Sequence, residues 1–345
     1  MKAKLLIALI LLIIFSPQTF AYAGEANLAA VIQRNWSQWH DKQDNISYAQ
    51  VVAQLECPYT GDDAAALVAL AQYFRKNRIN YSLNMDSVLK MAERPILQEG
   101  YQKELQSLAQ ASHELYASGQ PNFSVLKQGP IGDCFFFSGI GWLANYRPQV
   151  LMNAITPLSD GRYKVVFPNN LQVVVNRPTD AEMLFFNSSS TISDGLWVTI
   201  LEKAVGAILP NYTKRVVNEE EPAYNLALGG APATIERIWT AKTPNVVYLH
   251  NSSYAEVRRI LVMMQKKQLM SQALTGKRPP TPSIAGNHVY AIMGFDDQHD
   301  VVTLWNPWGD EFSPLPGHSG FPRKHGVFHL SLKEFCAFYE VLFVE

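Results

Sequence analysis

Three cysteines in 345 residues, in no framework spacing, exclude a disulfide-stapled scaffold. Charge of one sign is missing too. The 29 Lys+Arg nearly cancel the 30 Asp+Glu, so nothing marks a nucleic-acid or anionic-lipid partner. The phosphate-loop pattern GxxxxGK[ST], the dinucleotide pattern GxGxxG, the metallopeptidase pattern HExxH and any CxxC pair are all absent, which removes the commonest nucleotide and zinc sites. There is no internal repeat and no low-complexity tract. Beyond the first residues no apolar run approaches the ~20 residues of a bilayer span. What remains is a chain with 48% hydrophobic and only 17% charged residues, enough to bury one large core or two modest ones.

The N-terminus reads as a secretory leader. Lys2 and Lys4 precede the apolar run Leu5 to Phe15, and Ala21-Tyr22-Ala23 offers a small-x-small cleavage site. Cleavage near Ala23 predicts a secreted or periplasmic protein. Export favours disulfides, yet at most one pair can form, Cys57 with Cys336, against the alternative that both are small buried apolar side chains.

Residues 24–119 read as a helical N-terminal region, either a propeptide or an accessory unit. Ala64, Leu67, Leu70, Ala71 and Phe74 share one helix face behind the start signal Thr60-Gly61-Asp62-Asp63. The polar stretch Ala117 to Phe123 reads as a linker. From about 124 the pattern becomes mixed. Tyr163 to Phe167 and Leu171 to Val175 predict a hairpin, 195–208 an amphipathic helix, and His288 to Phe295 with Val301 to Trp305 a second hairpin; a strand, a short helix and a strand fill 326–345.

Cys134 ends the Gly/Pro loop Gln128-Gly129-Pro130-Ile131-Gly132-Asp133 and starts an apolar helix. A thiol at that position meets the positive end of the helix dipole, which favours the nucleophilic thiolate. Gly129 and Gly132 let backbone approach a substrate carbonyl closely, and the Cys134 N–H with the Gln128 amide can form an oxyanion hole. Asp133 reads as the helix N-cap. A base and an orienting group are needed as well. His288 heads one strand of the second hairpin and Asn306 ends the other, so pairing of the strands brings them to the same end.

Together, QGPIGDC, GNHVYAIMGFD and LWNPWG resemble the calpain family of papain-fold cysteine proteases. The order Cys, His, Asn agrees, and His288 lies 154 residues after Cys134, near the ~130–150 of papain-like enzymes. Fainter echoes are Gly195-Leu196-Trp197 with Leu201-Glu202-Lys203-Ala204, Leu228-Gly229-Gly230, and Val327 to Leu332 with Glu334-Phe335. The resemblance implies an α+β, papain-like two-subdomain peptidase over 120–345, with a helical lobe over about 120–240 and an antiparallel β lobe over about 241–345. It implies Cys134 as nucleophile, His288 as base, Asn306 as orienting residue, Gln128 as oxyanion donor and Trp308 as a shield over the His288–Asn306 contact. Two positions depart from the family pattern: Phe135 stands where a Trp follows the nucleophile, and Asn287 is inserted between Gly286 and His288.

The implied activity is that of a cysteine endopeptidase acting on a protein or peptide, with no nucleic-acid partner and, once the leader is removed, no membrane partner. The alternatives are a transglutaminase-like acyl transferase on the same triad and a silent binding module. No cofactor is required, and calcium sites within the peptidase core, which animal calpains use to align their halves, stay open. The C2-like and penta-EF-hand modules of animal calpains have no counterpart after residue 345, so calcium is not carried over, and no calcium site is located in the peptidase core. The loop Asp41 to Ser47 looks like a worn EF-hand loop, but Gln50 stands where a bidentate Glu belongs, which favours a polar turn. His318, His325 and His329 lack metal-ligand spacing, and Gly317-His318-Ser319-Gly320 is no nucleophile elbow.

Overall fold

The structure, a computed structural model, describes residues 27–212, 224–227, 229–278, 281–311 and 324–345. The leader, Leu228 and the Gly317 to Gly320 stretch with His318 lie outside them.

Residues 28–108 form five helices: α1 (Leu28–Trp39), α2 (Tyr48–Ala53), α3 (Gly61–Lys76), α4 (Met85–Ala92) and α5 (Pro95–Leu108). A two-residue ladder of β1 (Asn45–Ile46) and β2 (Leu83–Asn84) joins their connections. Local chemistry explains the boundaries. Asp62 and Asp63 sit in the first turn of α3 and Arg75 and Lys76 in its last, each sign where the macrodipole favours it. The expected face of α3 is buried, and so is every residue from Ala64 to Ala71, because α3 packs against α1 and α2 on one side and α5 and a later helix, α8 (Asp180–Phe186), on the other. Alanine lets neighbours approach from all sides.

The stretch expected as a linker is strapped down. The buried Asp194 carboxylate accepts from Ser118 Oγ at 2.8 Å, the Asn122 N–H at 2.9 Å and Trp197 Nε1 at 3.0 Å, so the polar residues that suggested a free connection are there to satisfy one carboxylate.

Beyond it come α6 (Cys134–Tyr146) and α7 (Pro148–Ala154), then a three-stranded antiparallel sheet of β3 (Ile155–Pro157), β4 (Tyr163–Val166) and β5 (Gln172–Val175). The expected hairpin is the pair β4–β5, and β3 adds a strand that the alternation of Tyr163 to Phe167 does not announce. Helices α8, α9 (Ser189–Ile192), α10 (Trp197–Ile208), α11 (Tyr224–Ala227) and α12 (Pro232–Thr240) follow. The helix expected to be amphipathic, α10, is instead buried nearly all round, Glu202 and Lys203 included.

The last third is a six-stranded antiparallel sheet of β6 (Asn245–Tyr248), β7 (Ser271–Thr275), β8 (Val289–Asp296), β9 (Val301–Trp305), β10 (Val327–Ser331) and β11 (Tyr339–Val344), in the order β10-β9-β8-β7-β11-β6. Helix α13 (Tyr254–Lys267) follows β6, and α14 (Leu332–Phe338) lies between β10 and β11. The 326–345 reading holds element for element.

Two buried cores result. One runs from Leu28 to Trp239 and takes Val289, Ala291, Met293 and Trp305 from the sheet. The other gathers Tyr290, Ile292, Leu304 and Phe328 with residues of α13 and α14. Successive residues of β8 therefore feed opposite cores, the period-two alternation of a strand covered on both faces. The first core takes side chains from both sides of residue 120.

Candidate active site

The loop before α6 is fixed at both ends. Gln128 pairs with Asn187 in an isolated antiparallel bridge, and its N–H donates to the Pro307 carbonyl at 2.8 Å. At Gly129 an added Cβ would lie 2.0 Å from the Phe186 carbonyl oxygen, so only glycine lets the loop lie on the end of α8. Cys134 is the first residue of α6, whose leading N–H groups have no intrahelical acceptor. The Gln128 Nε2 donates to the Ile131 carbonyl at 2.7 Å, which uses one of its two hydrogens and braces the loop.

From the sheet side, the His288 N–H donates to Thr275 Oγ1 at 3.0 Å, and the Asn287 N–H donates to the Gly276 carbonyl at 2.6 Å. Asn287 takes a left-handed φ of +49°, and this turn absorbs the inserted residue while His288 still meets Asn306. His288 Nε2 lies 2.9 Å from Asn306 Oδ1, and the same oxygen accepts the Trp308 backbone N–H at 3.0 Å. Because a backbone N–H only donates, the shared atom is the amide oxygen and Nε2 must carry its hydrogen. That leaves Nδ1 as the basic nitrogen. The Trp308 ring lies over the imidazole with centroids 4.0 Å apart, and Tyr290 meets it edge-on at 4.8 Å. His288 and Asn306 are closed from solvent, at 1% and 0% exposure. Cys134, His288, Gln128, Gly132 and Trp308 line one cleft of about 580 Å³.

Burial governs the charges. It pushes the Cys134 thiol up to about 11, against the pull of the backbone N–H groups of Val289 and Phe135, and it pushes His288 down to about 4, against the Asn306 contact. Burial therefore favours the neutral thiol and the neutral imidazole. Desolvation outweighs the helix-start effect that favours thiolate.

Asp133 corrects its expected role. It occupies the N-cap position but its side chain makes no cap bond; the carboxyl is wholly buried and turned toward Glu202. Burial raises Asp133 to about 8 and raises Glu202 as well, since two facing carboxylates cannot both ionise there. Asn187 Nδ2 donates to Glu202 at 2.6 Å. On the next residue of α10, Lys203 pairs with the buried Glu182 and, at 2.9 Å, with Glu56 of the N-terminal region. Pattern reading passed over Glu202 and Asn187 as site neighbours. The available signal was an adjacent Glu-Lys inside an otherwise apolar helix.

The remaining candidates do not join this cluster. Cys57 and Cys336 are free thiols, and the side chain of Cys336 packs against the second core while Cys57 belongs to the N-terminal region. Asp41 accepts the N–H groups of Gln43 and Asn45, and Gln50 closes a capping box with Ser47 at the start of α2, so the loop is a polar turn whose Gln50 serves the helix. His325 lies in the turn before β10 and His329 on it, bonded to Thr303 at 3.0 Å. Among the described residues no group of three or more His, Cys, Asp or Glu is placed to hold a metal ion, and no helix is long and apolar enough to cross a membrane.

Comparison with known families finds a match. The family model described as calpain family cysteine protease covers residues 91–314, well over half of the chain and all of Gln128, Cys134, His288, Asn306 and Trp308. No curated protein matches the chain.

Proposed function

The chain belongs to the calpain family of cysteine proteases, and from that premise we propose that it is an exported, papain-like endopeptidase using Cys134, His288 and Asn306. The cleft between the helical part and the six-stranded sheet is where an extended substrate strand lies. His288 Nδ1 takes the thiol proton as sulfur attacks the scissile carbonyl carbon. The charges appear together in a water-poor cleft, where their attraction offsets much of the desolvation that keeps them neutral at rest. The Cys134 N–H and the second Gln128 Nε2 hydrogen receive the oxyanion. The C–N bond then breaks, the imidazolium gives its proton to the leaving amine, and a thioester remains. Water, deprotonated by His288, attacks the thioester; the carboxylic acid leaves and the thiol is restored.

The observation that carries this reading is Asn306 Oδ1 held by both the His288 ring and the Trp308 N–H, which fixes the tautomer a base at Nδ1 requires. Thiol, imidazole and amide supply every group the proposed steps use, so none of those steps requires a cofactor. The partner is a protein or peptide chain. Export rests on the basic start, apolar run and small-x-small site of residues 2–23. Cleavage of denatured casein, with and without a calcium chelator, tests the assignment: Cys134→Ser should lose activity by about a thousandfold or more, and undiminished turnover by that variant overturns it.

A further inference from the structure

A second cavity, of about 380 Å³, opens beside the cleft and shares Gln128, Gly129, Pro130 and Trp308 with it. Its far wall is not part of the motif-bearing segments. Gln72 comes from α3, and Lys103, Glu104 and Ser107 come from α5 of the N-terminal region. The side of the scissile bond it serves follows from the chemistry. The leaving amine must depart toward the imidazole that protonates it, and Trp308, stacked on that imidazole, is one of the four residues that cleft and cavity share. Ala227, Gly229 and Asn287 line the main cleft and not the cavity.

The wall carries a buried carboxyl. Glu104 is 4% exposed, and burial pushes it up to about 7 against the pull of Lys103 and a contact with Gln72. No ion pair closes on it among the described residues. A buried carboxyl in that state gains most from a cation brought to it. Lys103 and Lys127 also line the cavity, so the buried Glu104 carboxyl competes with two ammonium groups over which sign of charge the cavity admits.

We propose that this cavity is a leaving-group-side substrate subsite, built jointly by the N-terminal helices and the nucleophile loop, which takes a lysine or arginine side chain at one of the first two positions after the scissile bond, with its cation on Glu104. The proposal rests on the peptidase reading for its direction along the substrate. The N-terminal helices thereby act as a specificity wall.

Two measurements on the full chain test it. In the first, new N-termini released from denatured casein are sequenced. Lys or Arg should be enriched at the first or second position, and Glu104→Gln should lower the kcat/KM ratio of basic over leucine-containing peptides roughly ten- to a hundredfold, mainly through KM. In the second, the Cys134→Ala protein is titrated with fluorescent peptides carrying Lys, Leu or Glu at those positions. Selectivity for Lys should appear there too and vanish in Cys134→Ala/Glu104→Gln. Ser107→Leu, which fills the cavity, should weaken Lys and Leu peptides together, and a thermal melt confirms that each variant is folded. Cleavage without basic enrichment, or enrichment that Glu104→Gln leaves intact, overturns the subsite while the peptidase stands. A preference for acidic residues overturns it in favour of Lys103 and Lys127. Absent cleavage overturns the peptidase reading, and the titration then judges the cavity by itself.

Discussion

Cys134 and His288 differ from a preformed ion pair in a way that pH exposes. In the proposed reaction the imidazole must be neutral to accept a proton and the thiol must still hold one, and burial favours that state at both groups. The rate of iodoacetamide alkylation of Cys134 in the free protein should therefore be slow at pH 7 and climb steadily into the alkaline range. Asn306→Ala removes the contact that raises His288, which lowers its basicity further and frees the ring, and should cost about a hundredfold in kcat. Asp133 gives a stability prediction of opposite sense to an ordinary carboxylate. Its native proton affinity is raised from 3.8 to about 8, so folding takes up a proton, and the stabilisation present below about pH 4 is lost as pH rises through about 8. Thermal melts of Asp133→Asn between pH 4 and 8 should show a shallower decline than the wild type, because the amide is neutral throughout.

At the scale of elements, the active centre depends on how closely α6 rests on the sheet. A Cβ at Gly141 would fall 2.3 Å from the Trp305 ring, so glycine lets α6 touch β9, the strand that ends one residue before Asn306. Gly141→Val should destabilise by about 1–3 kcal/mol in a chemical denaturation curve. It should cost more activity than that loss of stability explains, because it pushes Cys134 away from His288. Much of this was legible in the chain. Spacing and motif put Cys134 at the start of α6 and His288 and Asn306 at one end of the β8–β9 pair, which is where the structure has them, since short-range pairing carries that information. The burial of Glu202 and the turn of Asp133 away from capping were not legible, because they depend on α10 being enclosed by segments distant in sequence. The same holds for Ala117 to Phe123: its composition is that of a linker, and only the fold reveals Asp194 beneath it.

For the whole molecule, the question is whether residues 24–119 come off. Val68, Leu70 and Phe74 share a single core with Phe136, Phe185 and Trp197, and Glu56 completes the partners of Lys203. A propeptide whose removal unmasks activity should leave a stable remainder. A 120–345 fragment of this chain would instead expose α8 and strand Lys203 without one of its carboxylates. We expect it to give no cooperative melt and no caseinolysis, whereas the full chain shows both; a folded fragment with raised activity would restore the propeptide reading.

The position of β11 has a mechanical consequence. It lies between β7 and β6, pairing with both, so residues 339–344 hold together strands that are far apart in sequence. Tyr339 faces Thr275, whose hydroxyl holds the His288 N–H, so slack in β11 reaches the imidazole through a single residue.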